Sequence, residues 1–159
     1  MSTKKQCITI AFFKAFDDNN KEATLLSKCI AWYTKGVFSH TAVLFTNDIG
    51  IVEQWEASPS KHKVIVTEHI PDNDKWVYTT IEVNDLERIK KFLESIKGLK
   101  YDFAGILGFL LPTKDRSDSW FCSEVAANCL KIDGNEVFWR IEPSSISPNK
   151  LARMLGVTT

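Results

Sequence analysis

Ser39-His40-Thr41-Ala42-Val43-Leu44-Phe45-Thr46, then Asn47-Asp48-Ile49-Gly50, then Ile51-Val52-Glu53-Gln54-Trp55-Glu56-Ala57: this stretch decides the fold class. The outer runs are strand-like, and the four residues between them have hairpin chemistry. Two antiparallel strands are therefore expected in the first half of the chain. Toward the C-terminus, Lys63–Ile70 and Lys75–Val83 read as two more strands around the turn cluster Pro71-Asp72-Asn73-Asp74. Val77, Ile81 and Val83 fall on one face of the second. Toward the N-terminus, residues 6–13 are apolar and β-branched enough for a first strand. Asp17–Asn20 is a polar turn that supplies helix caps. From Glu22 to Lys35 the apolar positions Leu25, Leu26, Cys29, Ile30 and Tyr33 follow the helical period, and Gly36 ends the helix.

The second half reads as helices. Asn84-Asp85-Leu86-Glu87 has the form of a capping box, ahead of a stripe of Leu86, Ile89, Phe92, Leu93 and Ile96 that stops at Gly98. A very apolar helix is expected from Asp102 to Leu111, ended by Pro112, with a charged loop at Thr113–Ser117. Ser119 or Asp118 can cap a third helix reaching about Lys131, with a buried stripe of Phe121, Cys122, Val125, Ala126, Cys129 and Leu130. Pro148 sits in the first turn of a short final helix, Asn149–Leu155. Strands followed by helices imply an α+β domain, an antiparallel meander packed on one side by helices.

The chain has 159 residues, the size of a single domain spanning 1–159. Hydrophobic residues make up 44% and charged residues 25%, which is ordinary globular composition. Lys+Arg and Asp+Glu are both 20, so the formal charge is zero. That balance argues against a nucleic-acid partner, which calls for a basic excess or stripe. The longest apolar run, Phe103–Leu111, is half of what a bilayer span needs, and it reads as a buried helix, without integral membrane association. Lys14 interrupts the apolar N-terminal stretch and no small-residue cleavage site follows, so a cytoplasmic location is expected.

Four cysteines, Cys7, Cys29, Cys122 and Cys129, form no metal-type spacing. Cys7, Cys29 and Cys129 read as small buried hydrophobes. Cys122 stands apart. It falls in the first turn of its expected helix, where unpaired N–H groups and the helix dipole favour a negative charge and can activate a thiol. Trp120 and Phe121 would shield it on one side. His40 opens an apolar strand, and a strand end that meets a helix N-terminus places a base beside a nucleophile. A third residue, Glu53 or Glu56, could fix the tautomer of His40. Hairpin register decides between them: an odd-numbered loop lets Glu56 face His40, and an even-numbered loop favours Glu53. The position of Glu56 at the same strand end as His40 favours Glu56. His62 and His69 read as solvated or structural. The tryptophans read as core and rim. No metal site and no cofactor are proposed.

Taken together, these segments resemble the circularly permuted NlpC-type papain-like cysteine hydrolases, a group that includes YiiX-like proteins and, more distantly, the lecithin retinol acyltransferases. The resemblance rests on the His40 strand, on Glu56-Ala57-Ser58-Pro59 followed by Lys63-Val64-Ile65-Val66, on Tyr101-Asp102-Phe103-Ala104-Gly105, on Trp120-Phe121-Cys122-Ser123-Glu124-Val125-Ala126, and on Ser147-Pro148-Asn149-Lys150-Leu151. His40 precedes Cys122, as in the permuted branch. The resemblance implies Cys122 as nucleophile, His40 as general base and Glu56 as the orienting third residue. It places the Cys122 N–H in an oxyanion hole lined by Tyr101, with Trp120 on the substrate side. The implied activity is acyl transfer through a thioester: a thiol hydrolase acting on peptide, isopeptide, cell-wall-type or lipid acyl substrates, or an acyltransferase if an amine or alcohol replaces water. The rival expectation is a non-catalytic binding or structural module on the same fold.

Overall fold

The computed structural model describes residues 5–16, 24–102 and 119–158. The caps expected at Asp17–Asn20, the apolar helix expected from Asp102 to Leu111 and the loop Thr113–Ser117 lie outside them, save for Asp102 itself. In chain order the elements are β1 (Gln6–Lys14), α1 (Leu25–Tyr33), β2 (Phe38–Thr46), β3 (Val52–Ser58), β4 (Lys63–Glu68), β5 (Trp76–Val83), α2 (Leu86–Ile96), β6 (Lys100–Tyr101), β7 (Ser119–Trp120), α3 (Cys122–Ile132), α4 (Glu136–Trp139) and α5 (Pro148–Met154). The class is α+β, as expected.

The strands form one sheet in the order β5-β1-β2-β3-β4-β6-β7. This corrects the simple meander, because β5 returns to pair with β1 instead of extending the sheet beyond β4. The reason is edge coverage. β1 carries Thr9 opposite Thr80, whose hydroxyls lie 2.9 Å apart, and Lys5 reaches Glu82 at 2.7 Å. The return also requires the sheet to curl. Four strand spacings, about 19 Å in a flat sheet, separate β5 from β4. Yet His69, directly after β4, has Nε2 3.0 Å from the Tyr78 hydroxyl of β5.

Alternation along the strands makes two apolar faces. Ile8, Ile10, Phe12, Val43, Trp55 and Val64 pack against Ile89 and Leu93 of α2, Val125 and Leu130 of α3, and Leu151 of α5. Ala11, Ala42 and Leu44 form a smaller cluster on the other face with Trp76 and Tyr78.

The β2–β3 turn follows its sequence. Asn47 Oδ1 accepts from the N–H groups of Ile49 and Ile51, and Gly50 takes the positive φ of 84° that the turn requires. The capping box expected at Asn84–Glu87 is corrected: Asp85 is the cap, accepting from Arg88 N at 2.9 Å. Asn84 instead donates its backbone N–H to Asp133 at the end of α3. The cap of α3 is also corrected. Ser119 is drawn into β7 opposite Lys100, so the helix begins at Cys122 with Phe121 as N-cap. Glu124 supplies the missing acceptor from inside the helix, bonding Phe121 N at 3.1 Å.

The start of β2 is pinned from afar. The buried Asn149 side chain accepts from Phe38 N at 2.9 Å and donates to Phe38 O and to Thr34 Oγ1. A Cβ on Gly36 would lie 2.2 Å from Asn149 Oδ1, so only glycine permits this approach.

Candidate active site

Antiparallel register sets the rows of the site. Phe13 pairs with both His40 and Trp76, so these three side chains share a face. Leu44, on that face, pairs with Gln54, and Glu56 follows two residues later on the same side. Thr46 pairs with Val52, which leaves five turn residues, 47–51, an odd-numbered loop that sets even positions opposite even positions. The choice between the two acids is thereby made. Glu56 Oε2 lies 2.5 Å from His40 Nε2. Glu53 is on the opposite face, accepting from Asn47 Nδ2 at 3.0 Å and Trp55 Nε1 at 2.9 Å. Glu53 is therefore corrected as an alternative third residue.

The His40 and Glu56 side chains are 16% and 12% exposed. Burial alone would drive the imidazole to its neutral form. The charges of Glu56 and Cys122, and hydrogen bonds with both, outweigh it, and the His40 pKa is pushed up to about 10. Burial likewise works against the Glu56 carboxylate, but His40 and a hydrogen bond from Gln54 hold it below the usual carboxylate range.

Cys122 is the first residue of α3 and is buried. Its N–H therefore lies outside the i→i−4 ladder, at the positive end of the helix dipole. The fully buried Ser123 hydroxyl donates to Ile146 O at 2.5 Å and anchors that first turn. His40 uses Nε2 for Glu56, which leaves Nδ1 as the ring nitrogen for Cys122. The structure thus brings Cys122, His40 and Glu56 together.

Tyr101 is buried and lines a cavity together with His40 and Glu56. Burial, and then the negative charges of Cys122, Asp102 and Glu56, push its phenol pKa up, so the hydroxyl remains a donor. Trp120 is corrected as a substrate-side residue. Its indole packs edge-on against Phe92 of α2, with centroids 5.4 Å apart, and it does not line the cavity. In β7 it serves as a packing residue beneath α2.

The cavity has a volume of about 380 Å³. Phe13, Leu26, Ile30 and Trp76 give it apolar walls, and Ser27, Ser39, Ser58 and Ser60 give it hydroxyls. Among the described residues that line it there is no lysine or arginine.

The other cysteines differ from expectation in part. Cys129 is buried, and burial pushes its thiol well up, so it is inert. Cys7 and Cys29 are exposed, because β1 begins at the sheet margin and only Ile30 and Ala31 of α1 are buried among the described residues. Sequence reasoning also missed what His69 does. It is structural, but it bonds Gln54 and Tyr78 beside the site. The signal was the alternation Gln54-Trp55-Glu56, which puts both polar side chains on the face of His40 once the loop is counted as odd.

Among the described residues, no group of three or more His, Cys, Asp or Glu side chains could hold a metal ion, and no helix is long and apolar enough to cross a membrane. No protein-family model matches the chain, and no curated protein matches it.

Proposed function

We propose that this chain is a thiol hydrolase that cleaves an amide or ester through a thioester on Cys122, on a permuted papain-like scaffold. The observation that carries this reading is the buried Glu56–His40–Cys122 arrangement at a helix N-terminus. Glu56 holds the imidazole, and His40 takes the proton of Cys122. The thiolate attacks the carbonyl carbon. The oxyanion gathers at the Cys122 N–H and the Tyr101 hydroxyl. The C–N or C–O bond breaks as His40 returns its proton to the leaving amine or alcohol. Water, deprotonated by His40, then attacks the thioester and releases the acid and the free thiol.

The cavity walls narrow the substrate. Phe13, Leu26, Ile30 and Trp76 offer no hydrogen-bonding partner to a charged group, so a phosphate or carboxylate packed against them would be desolvated without compensation. An uncharged, largely apolar acyl group fits better, from a peptide or from a lipid-type ester.

The test is acyl-enzyme trapping. Incubation with a nitrophenyl ester of a medium-chain fatty acid, followed by intact-mass and peptide mapping, is expected to show an acyl adduct on Cys122 that decays with nitrophenol-coupled turnover. Adduct formation elsewhere, or turnover unchanged in Cys122→Ala, would overturn the reading.

A further inference from the structure

Behind Glu56, away from the thiol, runs a second line of polar side chains. Tyr78 accepts from Asp72 N at 3.1 Å and faces His69 Nε2 at 3.0 Å. His69 Nδ1 lies 2.6 Å from Gln54 Oε1. Gln54 lies two residues before Glu56 on the same face of β3, and its side chain is among the groups that hold the Glu56 pKa down. We propose that Gln54 and His69 are positioning residues for Glu56, joined with Tyr78 in a one-directional hydrogen-bond relay that fixes the carboxylate against His40. The proposal rests on the reading of Glu56 as the acid that orients His40.

The direction of the relay follows from the charge at its end. A carboxylate accepts only, so Gln54 turns its amide N–H₂ toward Glu56 and its oxygen toward His69. An amide oxygen accepts only, so His69 carries its proton on Nδ1. A neutral imidazole protonated there accepts at Nε2, so Tyr78 donates its hydroxyl proton to it. That leaves the Tyr78 oxygen to accept from Asp72 N. Each group between Asp72 and Glu56 accepts once and donates once. Burial pushes His69 toward its neutral form, as this arrangement needs, although the Glu56 charge opposes that.

His69 lies outside the lining of the cavity that contains His40. It lines a separate cavity of about 420 Å³ with Tyr78. Trp76 stands between the two sites, its ring 6.2 Å from His40 and 6.0 Å from His69, both edge-on. A residue in this place acts on the chemistry only through Gln54 and Glu56. The groups whose charge bears on Glu56 are His40 and His69.

Two readouts test the relay. The first needs no variant: long-range ¹H–¹⁵N correlation spectra of the wild-type protein at neutral pH. A protonated Nδ1 and an accepting Nε2 on His69 are expected, and the opposite tautomer overturns the proposal. The second is the titration of the Glu56 carboxyl carbon in wild type, Gln54→Met, His69→Phe and His69→Asn. Losing a donor raises a carboxyl pKa. The midpoint is expected to rise by about 0.5–1 pH unit in Gln54→Met, less in His69→Phe, and to return toward wild type in His69→Asn, whose amide restores the donor to Gln54. The low-pH limb of Cys122 alkylation should move the same way. An unmoved Glu56 midpoint in Gln54→Met and His69→Phe refutes the relay. If wild-type Cys122 is unreactive at low pH, the hydrolase reading fails, while the Glu56 titration still decides the relay.

Discussion

Replacing Glu56 by glutamine keeps the volume and a hydrogen-bonding end but removes one negative charge from a buried pair. The two groups touch at 2.5 Å, and their charge centres are about 4 Å apart. At an effective dielectric of about 20, that attraction is about 4 kcal/mol. Divided by about 1.4 kcal/mol per tenfold, it is a factor of roughly a thousand in the His40 protonation equilibrium. The His40 midpoint should therefore fall from about 10 to about 7 in Glu56→Gln. Histidine ring NMR across pH 5–11 reads this directly. Near neutral pH the loss leaves only part of the imidazole charged, and activity should fall without vanishing. Glu53→Gln is the control. Its carboxylate faces Asn47 and Trp55 on the other side of β3, so the His40 midpoint should stay within about 0.3 of wild type. An unmoved midpoint in Glu56→Gln, or an equal fall in Glu53→Gln, would refute the electrostatic argument.

Other consequences follow from the same geometry. Cys122→Ala and His40→Ala should each abolish turnover, and Cys122→Ala should cost only about 1 kcal/mol of stability in urea unfolding, since one sulfur atom is removed; substantial turnover in either variant contradicts the mechanism. His40 has its pKa raised on folding, so its contribution to stability is full below its ordinary value of 6.5 and is lost as pH rises to about 10. Glu56 has its pKa lowered, so its contribution is present above its ordinary value of 4.5 and is lost as pH falls below that. Thermal unfolding should thus show a plateau between those values, and the alkaline decline should shrink in His40→Ala; an unchanged decline counts against the pair. Asn149→Ala removes three hydrogen bonds at a buried position and leaves Phe38 N and O unpaired, so it should cost about 2–4 kcal/mol in urea unfolding. A cost under about 0.5 kcal/mol would show that β2 is held some other way.

Much of the sheet was legible because each strand carries its own signal. Asn47–Gly50 and Pro71–Asp74 punctuate runs of β-branched and aromatic residues, and the five long strands appear close to where those runs lie. The capping of α2 slipped by one residue because Asn84 and Asp85 are both good caps, and the distant Asp133 draws the Asn84 side-chain amide away. The pairing of β5 with β1, and the two-residue strands β6 and β7, were not legible. They depend on curl and on contacts between segments far apart in sequence, and Lys100 or Ser119 alone has no strand signature. At the site, Cys122 and His40 were legible from helix-terminus and strand-end chemistry. The acid was reduced to two residues and awaited one fact, the parity of the loop. Trp120 was misplaced because a two-residue strand, not a helix, precedes Cys122 and carries the indole onto Phe92. His69 lies one residue beyond β4; the β3–β4 register, Gln54 opposite Thr67, sets it beside Gln54, and the curl of the sheet brings it to Tyr78, which no local pattern encodes.

In the proposed mechanism His40 and Glu56 make Cys122 a nucleophile. Iodoacetamide alkylation from about pH 5 to pH 9, mapped by mass spectrometry, tests it most directly. Exposed Cys7 and Cys29 serve as reference thiols and buried Cys129 as the inert one. Selective labelling of Cys122 below about pH 7, lost in His40→Ala, is the expected result. Labelling of Cys122 only above about pH 8, or labelling indifferent to His40, would contradict it and leave a binding module in place of an enzyme.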